Sequence, residues 1–252
     1  MNDEQLLRYS RQIMLGAVDY AGQQALANSS VLIVGAGGLG SPVAMYLAAA
    51  GVGALHLADF DRVDLSNLQR QIVHGTPDIG RLKVESARDR LGQLNPDVQV
   101  LTHTEALDGA RLRTAVAAVD LVVDATDNFT TRFALNAACF AQGVPLVSGA
   151  AIRFEGQLSV FDPRRADSPC YRCLYRDEGG EAEACSRTGV LAPVVGVIGS
   201  LQATEALKLL LGIGRPLVGQ LLIWDALDGD FRRMRLRRDP ACPVCGHRPH
   251  PE

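Results

Sequence analysis

The stretch from Val31 to Arg70, VLIVGAGGLGSPVAMYLAAAGVGALHLADFDRVDLSNLQR, limits the possible folds more than any other part of the chain. An apolar run, Val31 to Val34, leads into Gly35, Gly37 and Gly40 in G-x-G-x-x-G spacing. An alanine-rich helical pattern follows, then a second apolar run over 54–58 that ends at Asp59. Strand, glycine turn, helix, strand and acid in this order make a nucleotide-binding βαβ unit. The glycines let the backbone approach a phosphate, and the helix N-terminus offers unpaired N–H groups and a positive dipole end. Asp59 falls where a carboxylate accepts hydrogen bonds from ribose hydroxyls. Taken alone, the pattern serves any nucleotide enzyme, an NAD-dependent oxidoreductase included.

The chain beyond it alternates. Helical patterns over 80–94, 109–118 and 131–142 separate strand patterns over 98–101, 121–125 and 145–150, which predicts a parallel, doubly wound sheet. Gly156 to Phe161 follows too closely for a helical crossover and pairs antiparallel. Leu221 to Trp224 and Phe231 to Leu236 flank Asp228-Gly229 and read as a hairpin. Ala192 to Leu211 reads as a core helix, and 162–188 as a long polar loop without secondary structure. At the start, Asp3 to Leu15 reads as one helix that buries Leu6, Leu7, Ile13 and Met14, with a second over 20–28. The expected class is α/β, a Rossmann-like doubly wound mixed sheet in one domain over 1–252. Its parts are N-terminal helices (1–30), a parallel nucleotide-binding half (31–152) and an antiparallel half (153–252).

Composition narrows the setting. At 47% hydrophobic, 252 residues can bury one large core. A net charge of −3 gives no reason to expect nucleic acid or an anionic membrane as partner. No apolar run approaches an uninterrupted membrane span, and the polar beginning, MNDEQLLRYSRQ, carries no secretory signal. A cytoplasmic location is expected.

Four of the six cysteines form two C-x-x-C pairs, Cys170/Cys173 and Cys242/Cys245. Together they offer the four thiolates that a structural zinc ion takes, each pair chelating from one tight turn. A redox pair would explain one of them but not both. Near Asp59, Arg70 and Lys83 could neutralise phosphate oxygens, although either alone reads equally well as a solvated charge. Asp127 follows the fourth strand, where it could hold Mg²⁺ through one carboxylate or cap the next helix. No G-x-x-x-x-G-K-[ST] loop is present.

The chain resembles the ThiF/MoeB family, bacterial relatives of ubiquitin-activating enzymes. The matching segments are RYSRQ (8–12), GAGGLGS (35–41), DFDRVDLSNLQRQ (59–71), Lys83, DATDN (124–128), CYRC, TGVLAPVVGVIGSLQATEALK (188–208) and CPVC. The resemblance spans essentially the whole chain. It implies Mg-ATP-dependent adenylation of the C-terminal glycine of a ubiquitin-like sulfur carrier ending in Gly-Gly, with a separate sulfur donor completing a thiocarboxylate. It places Gly38 at a close backbone approach and Asp59 at the ribose. It gives phosphate contacts to Asn67, Arg70 and Lys83, and magnesium to Asp127. Asp61, Ser66, Leu68, Gln69 and Asn128 belong to the same binding segments. Arg11, by itself a surface helix charge, matches an arginine that family members insert into the neighbouring subunit's site, which implies a homodimer, a heterotetramer with its carriers. Cys185 matches a loop cysteine capable of a covalent link to the carrier in some members. Cys139, on an apolar helix, reads as a core residue.

Within the family, SGAAIRFEGQLSVF (148–161) resembles the molybdopterin branch, whereas the beginning and GQQAL (22–26) lean towards the thiamin branch. The expected activity is therefore that of the molybdopterin branch, with the thiamin carrier, or both carriers, as the alternative. An oxidoreductase would need a hydride-transfer acid/base site that nothing downstream supplies. A non-catalytic scaffold would bind nucleotide and carrier without forming an acyl-adenylate.

Overall fold

The computed structural model describes residues 1–176 and 189–246. One eight-stranded sheet runs through them in the order β3-β2-β1-β4-β5-β6-β7-β8. The strands are β1 (Ser30–Val34), β2 (Ala54–Ala58), β3 (Gln99–His103), β4 (Leu121–Asp124), β5 (Leu146–Ile152), β6 (Glu155–Phe161), β7 (Gln220–Asp225) and β8 (Asp230–Arg235). The first five are parallel, with Val31 beside Leu55 on one flank and Leu121 on the other. The last three join antiparallel, as expected from their short connections. The helices are α1 (Asp3–Arg8), α2 (Ser10–Ile13), α3 (Asp19–Ala27), α4 (Gly40–Ala49), α5 (Lys83–Leu94), α6 (Gly109–Ala117), α7 (Phe129–Gln142), α8 (Tyr171–Leu174) and α9 (Ala192–Leu211).

Strand periodicity sorts the core into two layers. Val31 and Ile33 join Leu55, Leu57, Leu121 and Val123 beneath α4, α5 and α9. Leu32, Val34 and Val122 face the other way, against Leu112, Val116 and Leu135 of α6 and α7. Both faces are covered, which is why these strands read as continuous apolar runs. Strand order reverses between β1's neighbours β2 and β4, and the crevice at the strands' carboxyl ends opens there.

Several expectations are corrected. The N-terminal helix breaks at Tyr9, which leaves helical geometry (ψ 6°) and is buried while Asn95 donates to its hydroxyl at 2.8 Å. Leu6, Leu7 and Met14 remain exposed on this chain instead of entering its core. Helix α5 begins at Lys83, not at 80, because Gly80 has φ +88° and Leu82 is extended. The polar loop after β6 contains the single turn α8. Finally, α9 is 20 residues long at a mean hydropathy of 1.5, long and apolar enough to cross a membrane by those two measures alone. Here it packs along β5, β6 and α4, with Gln202 and Glu205 buried on its inner face.

Candidate nucleotide site and cysteine cluster

A cavity of about 220 Å³ lies at the carboxyl ends of β1, β2 and β4. The turn after β1 forms its floor. Gly35 holds φ +96°, and a Cβ at Gly40 would lie 1.8 Å from the Gly35 carbonyl oxygen, so both positions require glycine. Gly37 and Gly38 line the cavity itself. The Gly37 carbonyl accepts both the backbone N–H (2.9 Å) and the hydroxyl (2.7 Å) of Ser41, which anchors the turn to the first turn of α4.

Asp59, at the end of β2, is tied to this turn. Its Oδ2 accepts the Ala36 N–H at 2.8 Å and its Oδ1 the Asp61 N–H at 2.9 Å. Each oxygen keeps a lone pair for a further donor. Lys83 Nζ donates to Asp61 Oδ2 at 2.8 Å and lies 4.0 Å from Asp59 Oδ2. The Lys83 side chain is only 8% exposed, so this ammonium sits against the cavity wall and not in bulk water. Arg70 lines the same wall, one of its nitrogens resting on the Ser66 carbonyl at 3.1 Å.

The opposite rim is built by Asp124, at the end of β4. This fully buried carboxylate accepts the backbone N–H and hydroxyl of Thr126 and the Ser148 hydroxyl (2.7–3.1 Å), satisfying both oxygens. Arg132 of α7 lies 3.8 Å away and donates to the Thr126 carbonyl at 2.5 Å. The turn between them therefore has a fixed shape. Asn128 caps α7 by accepting the Thr131 N–H at 2.9 Å, so Asp127 is not the cap. Asp127 is exposed at the cavity, with no hydrogen bond or ion pair among the described residues.

A second cluster joins the loop after β6 to the C-terminal segment. The sulfurs of Cys170, Cys173, Cys242 and Cys245 lie within 4.8 Å of one another. Neighbouring separations are 3.5 Å (Cys170–Cys242), 4.0 Å (Cys170–Cys173) and 3.3 Å (Cys173–Cys245). Four sulfurs at about 2.3 Å around a tetrahedral ion stand about 3.8 Å apart, so the set fits such an ion. Hydrogen bonding from Cys170, among others, holds the Cys173 thiol far below its usual range, and the same contact pushes Cys170 up. Residues 177–188, with Cys185, lie outside the described residues. Cys139, on the inner face of α7, is fully buried in the core, and that burial raises its thiol pKa.

Residues 9–244 match the ThiF family. The chain belongs to the ThiF family. It is 53% identical over 246 residues to the molybdopterin-synthase adenylyltransferase of Escherichia coli K12, covering 98% of each chain. It is 51% identical over 246 residues to the sulfur carrier protein ThiS adenylyltransferase of the same organism, covering 98% of this chain and 97% of the relative. Among solved structures, E. coli MccB with ATP superposes with a TM-score of 0.81 at 25% identity, over 95% of this chain and 73% of that one.

The ThiF-family segments do not all meet at the cavity. Gly35, Gly37, Gly38, Asp59, Asp61, Arg70, Lys83, Asp127 and Asn128 line it. Ser66, Asn67, Leu68 and Gln69 do not; Ser66 and Asn67 fold the 3₁₀ turn Leu65–Asn67 around Asp64. Gly40 acts beneath the turn, packed on Gly35. Arg11 lies at the exposed end of α2, away from this chain's own cavity. Sequence reasoning missed several lining residues: Phe60, Gln71, Leu107, Thr126, Arg132 and Val195. Phe60 and Gln71 sit inside a motif already singled out. Arg132 carries no local signal, because its role is set by its tertiary contact with Asp124.

Proposed function

We propose that this chain adenylates the C-terminal glycine of a ubiquitin-like sulfur carrier ending in Gly-Gly, the small subunit of molybdopterin synthase. A carrier carboxylate oxygen would attack the α-phosphorus of ATP, the bond to the departing pyrophosphate would break, and a carrier acyl-adenylate would remain. A separate sulfur donor would then convert it to the thiocarboxylate. The single observation that carries the reading is the convergence on one cavity of the glycine turn, Asp59, Arg70, Lys83 and the unpaired Asp127. The nucleophile is already an anion, so the reaction needs charge stabilisation and positioning in place of a general base. Two cations and a free carboxylate suit that need; a hydride-transfer site would not.

Asp127 would hold Mg²⁺, which when bound neutralises phosphate charge. The four cysteines would hold Zn²⁺ as a structural ion with every position filled by protein. Reduced thiols of this kind accord with a cytoplasmic location. Exposed Leu6, Leu7, Met14 and Leu15 beside Arg11 support a homodimer in which Arg11 reaches the neighbouring site. Cys185 could serve covalent sulfur transfer.

Similarity to the ThiS adenylyltransferase favours a second reading, the same reaction on the thiamin-pathway carrier. Incubation with ATP, Mg²⁺ and each purified carrier, followed by mass spectrometry, tests both. The carrier-adenylate is expected with the molybdopterin carrier. Its appearance only with the thiamin carrier would transfer the assignment, and its absence with both, despite ATP binding, would overturn it.

A further inference from the structure

Beneath the glycine turn lies a buried histidine, His74, outside the cavity lining. His74 is 7% exposed and Ser86, on α5, is 2% exposed. His74 Nε2 lies 3.0 Å from the Ala36 carbonyl oxygen and Nδ1 lies 2.8 Å from Ser86 Oγ. A carbonyl only accepts, so Nε2 carries the proton and donates to Ala36. The Ala36 carbonyl thereby fixes the tautomer: in the neutral ring Nδ1 is an acceptor facing the Ser86 hydroxyl, for whose proton the Asp78 carboxylate also competes.

The Ala36 carbonyl belongs to the same peptide plane as the Gly37 N–H. In a trans peptide the two point in opposite directions. With the carbonyl held on His74, the Gly37 N–H is directed away from the buried histidine, and Gly37 lines the cavity. That N–H has no acceptor among the described residues. The planes on either side are also pinned: the Ala36 N–H by Asp59 and the Gly37 carbonyl by Ser41.

We propose that His74, oriented by Ser86, is a positioning residue that sets the Ala36–Gly37 peptide so that the Gly37 N–H is presented to the nucleotide's phosphates. Without it, the buried carbonyl loses its donor. Rotation of the plane towards water would then turn a carbonyl oxygen, in place of an N–H, towards anionic phosphate. Ser86 lies one helical turn beyond Lys83 on α5, so the same bridge ties the lysine's helix to the turn. Burial keeps His74 below the ordinary histidine value, against the Ala36 hydrogen bond and the pull of Asp78 and Asp59, with Lys83 acting alongside burial.

The inference rests on nucleotide binding at this turn, and the test separates the two. ATP and adenosine affinities are measured by calorimetry for the full chain and for His74→Phe, His74→Gln and Ser86→Ala, with melting temperatures recorded alongside. A lost N–H-to-phosphate bond corresponds to about a 10- to 100-fold loss of ATP affinity in His74→Phe. Adenosine affinity should change by less than about threefold, since Asp59 keeps its own position. His74→Gln, whose amide N–H can reach the same carbonyl, should recover most of the loss. Ser86→Ala should shift ATP affinity in the same direction by a smaller factor, and it serves alone where His74→Phe does not fold. Equal losses for ATP and adenosine, or indistinguishable Gln and Phe variants, would overturn the proposal. Failure of the unsubstituted chain to bind ATP would overturn the nucleotide reading beneath it.

Discussion

Replacing Lys83 by Met tests the charge logic of the cavity most directly. The ammonium is 8% exposed and bonded to Asp61 at 2.8 Å, but Asp61 is 56% exposed. A pair with one such solvated partner contributes about 0–1 kcal/mol, so Lys83 surrenders little when it turns to a phosphate. The bond gained there is charge-assisted, about 1.5–3 kcal/mol, and it strengthens as negative charge builds on the leaving pyrophosphate. A net loss of about 2–4 kcal/mol in the transition state predicts a fall in kcat/KM of about 30- to 1,000-fold. Folding should suffer far less, because Asp59 keeps its bonds to the Ala36 and Asp61 N–H groups. A cost of about 0–1 kcal/mol lowers the melting temperature by no more than about 4 °C in a chain of this length. The assay is pyrophosphate release with carrier present, with ATP varied at saturating carrier. Asp61→Asn serves as the counter-test: freeing Lys83 from an exposed partner should move KM for ATP by less than about fivefold. Activity of Lys83→Met within about threefold of the unsubstituted chain would refute the phosphate role. So would a loss from Asp61→Asn as large as that from Lys83→Met, which would make Asp61, not the lysine, the decisive group.

Mixing inactive Arg11→Ala and Lys83→Ala chains should restore about a quarter of normal activity, because a random two-fold dimer carries one intact shared site in half of its molecules. No recovery on subunit exchange would refute sharing. Native protein should contain one zinc per chain by metal analysis, and removing it with a strong chelator should lower the melting temperature; a metal-free native protein with four titratable thiols would refute the cluster's role. Gly37→Ala should fold, since its Cβ would meet only the Gln71 side chain, Nε2 nearest at 3.4 Å, yet lose ATP affinity; Gly40→Ala, with its Cβ 1.8 Å from the Gly35 carbonyl oxygen, should lose folded protein by circular dichroism. Burial pushes His56, His74 and His103 below their ordinary value, so the unfolded chain binds these protons first. Their contribution to stability should decline as pH falls below about 6.5, and a melting temperature that rises over this range would refute the sign.

What could be read from sequence shares one property: its physics is local. The turn from Gly35 to Gly40 and Asp59 lie in one βαβ unit, where spacing dictates geometry. The two C-x-x-C pairs announce themselves by chelate spacing, and the sulfurs do converge. Asp127 was legible because a residue just past a parallel strand reaches the carboxyl edge. What stayed hidden was decided at long range. Tyr9 interrupts the N-terminal helix because it bonds to Asn95, 86 positions away. Arg132 matters because Asp124 and the Thr126 carbonyl lie against it. Helical spacing could not show that Leu6, Leu7 and Met14 stay outside the core, since periodicity marks an apolar face without naming what covers it.

The glycine turn and the DFDRVDLSNLQRQ segment read as separate contributors in the sequence, one shaping the backbone and one supplying charges. The structure makes them one unit. Asp59 holds the Ala36 N–H, Lys83 leans on Asp59 and Asp61, and His74 returns to the Ala36 carbonyl from 38 positions downstream. A turn pinned from both sides of one residue cannot adapt freely to an incoming triphosphate; its donors are aimed beforehand. Preorganised donors are worth more to a transition state than flexible ones, because no reorganisation is spent as charge develops. The same rigidity explains why the cationic wall can be sparse. In the proposed reaction two side chains, Arg70 and Lys83, would meet the phosphates beside fixed backbone N–H groups, across the cavity from Asp127, which has no hydrogen bond or ion pair among the described residues.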